Sequence, residues 1–493
     1  MIKVPKKPKT ILTQRGYAIV KKNFDYKDIA NCKKDLMVKP FVNNNYGAKV
    51  DSYPIFLESS KKLYLPKHYG FKHFGEPQCV KLTKGSEIAL EFKGTLRPKQ
   101  IPVVKAFLYT CKKGPFIDKS NGGIISVPCG WGKTIMALNI IAELSRKTII
   151  IVHKEFLLNQ WRERINEFLP DARVGIIQGP KIDIENKDIV LAMLQSISIK
   201  DYDPEIFKNF GFTIVDECHH ISAEVFSRSL PKINSYYSLG LSATPKRADG
   251  LGKVFYMFLG PCVYKIDRDD KCVDVRVIMY NDPNNIKYNH EEINYMGKIC
   301  MPRMINNVVN NNTRNSLILY LAKDLVRNGN QVIILSDRRN QLKYLYEQLS
   351  GIHDLTVGYY VGSMKQKDLK QSEKANIILG TFPMAAEGLD IPTLDAAIFA
   401  SPKSNIQQSI GRITRKVRKT LPIAYDIVDS FSVFPNQYKK RLRLYKKLNY
   451  NISTTSITIK TTITDALIDY SLHNLQKLEK KTRKKQSKCL IEE

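Results

Sequence analysis

The chain has 493 residues, and at roughly 150 residues per domain that length suggests about three domains. With 43% hydrophobic and 25% charged residues it has enough apolar material for more than one globular core, and no apolar run reaches the ~18 residues of a membrane span. The formal net charge of +31, from 78 Lys+Arg against 47 Asp+Glu, is best tolerated beside a polyanion, which puts nucleic acid first among partners and a merely solvated basic surface second.

In chain order, the start M-I-K-V-P-K-K-P-K-T is basic with no apolar core behind it, which does not read as a secretory signal. Residues 1–92 hold no recognisable motif; their aromatics, prolines and a strand-like piece, Ile88 to Phe92, predict a small separate accessory domain. From Leu96 strands and helices alternate, and residues 93–265 form the first α/β domain. Gly123 to Val127, Thr148 to Val152, Ile189 to Met193 and Phe212 to Asp216 are near-continuous apolar runs of strand length. Lys133 to Leu144 is an amphipathic helix with Ile135, Met136, Leu138, Ile141 and Leu144 on its buried side. Such strands between helices predict a parallel sheet covered on both faces. The rhythm breaks over residues 266–313, a polar stretch rich in asparagine (Asn281, Asn284, Asn285, Asn310, Asn311, Asn312) that reads as a linker or insertion. A second α/β series occupies 314–437, with strands Gln331 to Ser336, Leu355 to Val361, Asn376 to Thr381, Ala396 to Ser401 and Ile423 to Val428, and a helix carrying Leu342, Leu345 and Leu349. Residues 438–493 are a basic tail, expected to be helical in part and frayed over Lys477 to Lys488. The fold class is therefore α/β: two tandem parallel-sheet domains, a small N-terminal domain and a basic C-terminal extension. The 9 cysteines include no C-x-x-C pair, which disfavours a disulfide framework or zinc ribbon and suits thiols in a reducing, intracellular setting.

Four motifs carry chemistry. The loop Val127, Pro128, Cys129, Gly130, Trp131, Gly132, Lys133, Thr134 follows an apolar run and opens a helix, the context a phosphate-binding loop requires. Backbone N–H groups near Gly130 to Lys133 and the positive helix end suit phosphates; Lys133 would reach the β- and γ-phosphates of ATP, and the Thr134 hydroxyl would bind magnesium. Val127 stands where the full G-x-x-x-x-G-K-[ST] pattern has glycine, so the loop alone competes with a plain glycine-rich turn. In V-D-E-C-H-H, Val215 to His220, Asp216 is placed to hold magnesium and Glu217 to polarise the attacking water. Metal binding by Cys218, His219 and His220 is the weaker reading, because adjacent residues on an extended chain point to opposite faces. Ser242 to Pro245, S-A-T-P, sits after the apolar run Tyr237 to Leu241 and by itself marks no more than a turn. The second series holds Gly380 to Pro392 and then Gln408 to Arg415, Q-S-I-G-R-I-T-R, whose Arg412 and Arg415 are spaced to share one helix face and present guanidinium forks to a phosphoryl group; a solvated basic helix is the plain alternative.

Taken in order, Leu96 to Gln100 (L-R-P-K-Q), P-C-G-W-G-K-T, D-E-C-H, S-A-T-P, A-E-G-L-D-I-P and Q-S-I-G-R-I-T-R resemble the motif series of superfamily two helicases, over about Leu96 to Val428. Within it, I-V-H-K-E-F-L-L-N-Q-W (Ile151 to Trp161) and G-L-S-A-T-P-K-R-A-D (Gly240 to Asp249) are similar to the XPB/UvrW-like group, with relatives in large cytoplasmic DNA viruses, including poxviral transcript-release helicases. The resemblance implies two RecA-like domains that clamp ATP and magnesium between them. It assigns Gln100 to the adenine with Arg97 nearby, and Gly388 and Asp390 to the ribose. Gln408, Arg412 and Arg415 go to the γ-phosphate, with Arg415 as the arginine finger. Ser242 and Thr244 would couple hydrolysis to strand movement, and Gln160, Trp161, Gln195, Ser196 and Thr381 would line the strand path. Trp131, bulky between loop glycines, suits a buried anchor better than a base-stacking platform. The function implied is an ATP-dependent DNA helicase or translocase, monomeric, not membrane-bound, acting in viral transcription or DNA repair, with virion or host cytoplasm as its place. An RNA helicase of the same fold and a non-catalytic polymerase-associated adaptor are the alternatives, and intact Lys133, Glu217 and Arg415 argue against the adaptor.

Overall fold

The computed structural model describes residues 9–39, 51–111, 120–128, 130–220, 223–243, 252–266, 272–389, 391–414 and 420–459. The chain forms two compact units, Met1–Asp267 and Arg268–Glu493. Among the described residues no helix is long and apolar enough to cross a membrane.

The first unit is built on an eight-stranded sheet in the order Lys181–Asp183, Val174–Gln178, Ile189–Met193, Thr148–Val152, Phe212–Val215, Tyr237–Ser242, Gly122–Ser126, Cys262–Lys265. Every pairing but the first is parallel. All five residues of Thr148–Val152 are buried, as a β-branched run in the middle of a sheet covered on both faces requires. Parallel strands bring their C-terminal ends to one edge, so the segments after Gly122–Ser126, Phe212–Val215 and Tyr237–Ser242, three adjacent strands, meet there. The helix Lys133–Leu144 buries Met136, Ala137, Leu138, Ile140 and Ile141, while Ile135 and Leu144 are only half-buried.

The expected separate N-terminal domain shares this unit's core. It folds as a five-stranded sheet (Leu57–Glu58, Lys62–Leu65, Gly16–Val20, Thr10–Thr13, Cys79–Val80) with the helix Lys67–Phe74. Leu12, Tyr17, Leu63 and Phe71 join one hydrophobic cluster with Ile124, Val254 and Phe258. Lys67, only 2% exposed, donates from Nζ to the carbonyls of Ser235 and Tyr236, each at 3.2 Å, and to Ser238 Oγ at 3.3 Å. Burial pulls its pKa down to about 7, although those acceptors suit the charged form. Gly85, at φ +72°, lies so close to Gly211 that a Cβ would stand 2.1 Å from that residue's nitrogen, so the two backbones touch where the chain passes onto the α/β sheet. Ile88 to Phe92 is not a strand. It is an extended crossing held by the Glu87–Arg146 bridge and the Ile88 N–H on the Ser145 carbonyl, with Phe92 stacked on Phe168 at 5.7 Å.

The second unit carries a seven-stranded, all-parallel sheet: Val357–Tyr360, Ile377–Gly380, Val332–Leu335, Ala396–Phe399, Ile423–Asp429, Asp274–Asn281, Asn451–Thr458. The five predicted strands are present, four with ends trimmed by a residue or two and Ile423–Asp429 longer by one, and Leu342, Leu345 and Leu349 are buried as expected. Two expectations are corrected. Residues 266–313 are not a bare linker, because Asp274–Asn281 is an interior strand and Ile286–Asn289 and Met301–Val309 are helices. The asparagines there act as helix caps: Asn285 Oδ1 accepts from Tyr288 N–H at 3.0 Å and Asn311 Oδ1 from Arg314 N–H at 2.9 Å. Nor is 438–493 simply a tail. Phe434–Lys447 is a helix that buries Arg441 and Tyr445, and Asn451–Thr458, an edge strand with no buried residue, pairs with Asp274–Asn281. Lys477 to Lys488 lie outside the described residues.

Candidate active site

In the first unit the loop after Gly122–Ser126 turns into the helix Lys133–Leu144 through two glycines in the left-handed region, Gly130 at φ +79° and Gly132 at φ +80°. Val127 is not in that region. It is fully buried in the core and donates its N–H to the Ser242 carbonyl at 3.1 Å, so its position needs an apolar side chain and no glycine. No side chain caps the helix, which leaves its first N–H groups directed at the loop, beside the half-buried Thr134. Pro128 precedes the glycines, and Cys129 lies outside the described residues.

Lys133 Nζ lies 3.2 Å from Glu217 Oε1, with both side chains 11% exposed. Glu217 reaches it because its φ is +45°, a non-glycine residue in the left-handed region, at a cost of roughly 1–3 kcal/mol of strain. That turn overrides the alternation of an extended chain, which would have sent Asp216 and Glu217 to opposite faces. Asp216 accepts the Glu217 N–H on Oδ1 at 2.9 Å and the Trp161 indole N–H on Oδ2 at 2.8 Å. Burial first, and then the adjacent Glu217 carboxylate, push Asp216 up to about 6, against the opposing pull of the Trp161 hydrogen bond and the Lys133 ammonium. His219 Nδ1 shares a hydrogen bond with Ser242 Oγ at 2.9 Å and lies 3.4 Å from Glu217 Oε2, so one ring ties together the segments that end two adjacent strands. Cys218 is buried, and burial raises its thiol pKa; among the described residues no cluster of His, Cys, Asp and Glu forms a metal cage.

Two assignments change. Trp161 does not line a strand path: it is 1% exposed, on the face of Glu155–Phe168 that also buries Leu157 and Ile165, and it orients Asp216. The spacing of Leu157, Trp161 and Ile165, four residues apart each time, was the available signal. Gln100, also 1% exposed, spends its amide inside the chain, accepting the Arg97 N–H at 2.8 Å and donating to the Trp131 carbonyl at 2.7 Å. A Cβ on Gly132 would meet Gln100 Nε2 at 2.5 Å, so this glutamine braces the loop instead of offering its amide to an adenine. Arg97 is exposed, and the Trp131 ring is half-buried with Lys99 Nζ 4.2 Å from its centroid. Gln160 is half-buried, Gln195 is exposed and donates to the His153 carbonyl at 2.7 Å, and Ser196 Oγ accepts the Gly179 N–H at 2.8 Å. Thr244 lies outside the described residues.

In the second unit Thr381 precedes the helix Phe382–Gly388, and Asp390 and Arg415 lie outside the described residues. The expected shared helix face of Arg412 and Arg415 is corrected in part: the helix Gln407–Ile410 holds the half-buried Gln408 but ends with Gly411 as its cap, so Arg412 follows it in a turn. Arg412 is 7% exposed and donates from Nη1 to the Leu389 carbonyl at 3.0 Å, which fixes the segment between Gly388 and Asp390.

A family described as "Type III restriction enzyme, res subunit" matches residues 93–247, and one described as "Helicase conserved C-terminal domain" matches residues 314–420. The chain is 37% identical over 456 residues to the "Putative ATP-dependent RNA helicase L396" of Acanthamoeba polyphaga mimivirus, covering 90% of this chain and 86% of that one. It is 29% identical over 381 residues to the "Putative helicase 161L" of Invertebrate iridescent virus 6, covering 73% and 83%. Among solved structures, the ATP-dependent Type ISP restriction-modification enzyme LlaBIII bound to DNA matches with a TM-score of 0.53 at 17% identity, over 76% of this chain and 32% of that one. S. cerevisiae Dbp5 bound to RNA and ADP BeF3 matches at 0.50 and 13% identity, over 74% and 94%. These two likenesses show the fold, a pair of RecA-like α/β domains.

Proposed function

As the chain belongs to the superfamily two helicases, and is therefore an ATP hydrolase with nucleic-acid helicase or translocase activity, we propose that RNA is the strand it acts on. The DNA reading of the sequence gives way here because the relative that spans nearly the whole chain is named as an RNA helicase. The observation that carries the enzymatic reading is the Lys133, Glu217 and Asp216 group, beyond the ends of two strands that flank Tyr237–Ser242. The phosphates of ATP compete with Glu217 for the Lys133 ammonium. Once released, Glu217 takes a proton from the water that attacks the γ-phosphorus, as the bond from that phosphorus to the β–γ bridging oxygen breaks. In the second unit Arg415 is the choice for the finger and Gln408 for a further γ-phosphate contact; Arg412 holds Leu389 by its carbonyl. Gln160, Gln195 and Ser196 in the first unit and Thr381 in the second are the choices for contacts to the strand. ATP hydrolysis at steady state should rise more with single-stranded RNA than with DNA of equal length and sequence. Equal or greater stimulation by DNA rejects the RNA reading.

Magnesium fits the same residues. Each Asp216 oxygen accepts one N–H and keeps a lone pair, and Thr134 adds a hydroxyl at the helix start, a hard-oxygen donor set that leaves most of the shell to water and phosphate. When bound there, the ion would supply charge neutralisation to the phosphates of ATP. Trp161 holds the carboxylate in place for it. Outer-shell partners of this kind are worth about 10–100-fold in metal affinity or activity. Trp161→Phe, which keeps an aromatic ring of smaller volume and loses the N–H, is therefore expected to raise the magnesium needed for half-maximal ATPase by ~10-fold. An unchanged magnesium titration in a variant of unchanged melting temperature removes that role.

A further inference from the structure

We propose that the groove between the N-terminal sheet and the first α/β sheet binds single-stranded nucleic acid as a continuation of the strand path, a proposal that rests on the reading above. The groove has a volume of about 990 Å³. Arg15, Phe56 and Lys81 line it from the N-terminal side, and Tyr202, Lys208 and Lys232 from the α/β side. Three carboxylates line it as well, and each is matched: Asp201 lies 3.2 Å from Lys232, Glu205 3.1 Å from Lys208, and Glu224 2.7 Å from Arg228. The surplus charge is Arg15 and Lys81, both exposed and without an ion pair among the described residues. A cationic surplus beside half-buried aromatic rings, Tyr53 and Phe56, suits a sugar-phosphate backbone with bases stacked against it.

The place of the groove supports the same occupant. Ser198 lines it, on the helix Leu194–Ile199 whose first turn carries Gln195 and Ser196. Lys232 Nζ donates to the carbonyls of Ile197 at 3.2 Å and Lys200 at 2.9 Å, which fixes the helix end to the groove wall. Lys81 and Arg15 line the same groove as Ser198, so a strand that enters it beside that helix runs against both. The N-terminal region, to which the sequence assigns no role, thereby becomes half of a nucleic-acid site.

The test compares the full chain with its Arg15→Gln/Lys81→Gln variant, using a labelled 20-nucleotide single strand. Loss of two phosphate contacts should reduce the slope of log affinity against log salt by ~1.4, and leave strand-free ATPase and the melting temperature unchanged. Should the double variant melt early, Lys81→Gln alone is expected to change the slope by ~0.7. Phe56→Ala should weaken binding with no change of slope. An unchanged slope in a chain whose ATPase still responds to the strand overturns the groove assignment and leaves the helicase reading intact. Loss of binding to poly-glutamate but not to the oligonucleotide makes the groove a protein dock and also overturns it. No strand response in the unaltered chain overturns both.

Discussion

Lys133→Ala is expected to lower the turnover of ATP by ~10³-fold or more, with single-strand affinity in the absence of nucleotide unchanged within about twofold. The ammonium lies 3.2 Å from Glu217, which also has His219 Nδ1 at 3.4 Å, and it sits at the first residue of the helix whose N–H groups face the loop. Its removal takes away the charge that meets the β- and γ-phosphates, together with the lysine partner of Glu217, whose side chain is 11% exposed. A factor of 10³ corresponds to about 4 kcal/mol of transition-state stabilisation, reasonable for a charge acting in a water-poor site on a phosphoryl group that gains charge. Lys133→Arg should not rescue, because a planar fork replaces a compact ammonium in a loop already closed against Gln100. Steady-state hydrolysis and equilibrium binding of a labelled strand decide the matter. Normal hydrolysis by the alanine variant would remove the phosphate-loop assignment and, with it, the proposed mechanism.

The site was legible in the sequence where a backbone conformation demanded a residue type. Gly130 and Gly132 both need positive φ, and Lys133 follows directly, so the loop could be placed before any fold was known. The apparent defect at Val127 was no defect, because the backbone there is ordinary and the side chain belongs to the core. What stayed hidden was set by tertiary partners. Nothing local says that Gln100 turns its amide to the Trp131 carbonyl, or that Trp161 points inward to Asp216 and not outward to a strand. The left-handed turn at Glu217 was equally invisible, since a glutamate seldom adopts it without a fold to hold it there. In the second unit the motif order predicted the strands. The edge strand Asn451–Thr458 could not be seen, since a polar run with no buried residue becomes a strand only through the neighbour it pairs with.

The stretch between the two α/β series shows the same limit with a measurable consequence. Asparagine-rich sequence reads as a linker when nothing is known of its partners, yet here it encloses a buried ion pair. Arg314 is fully buried and donates from Nε to Asp429 Oδ1 at 2.8 Å and from Nη2 to Oδ2 at 3.2 Å. Tyr288 adds its hydroxyl to Asp429 Oδ1 at 2.8 Å, and Asn311 caps the helix of Arg314 while its amide donates to Asp282 Oδ2 at 2.9 Å. Three of these five residues, Asp282, Tyr288 and Asn311, come from the supposed linker. Arg314→Leu leaves the Asp429 carboxylate buried with no cation, a change that costs about 3–5 kcal/mol. Denaturant unfolding should show that loss in the transition of the second unit, with the first unit's transition in place, because the two have separate cores. Adding Asp429→Leu should return part of the loss, since removing both charges also removes the uncompensated one. A loss below about 1 kcal/mol for Arg314→Leu would mean that water reaches Asp429, and that residues 266–313 pack too loosely to count as part of the second domain's core.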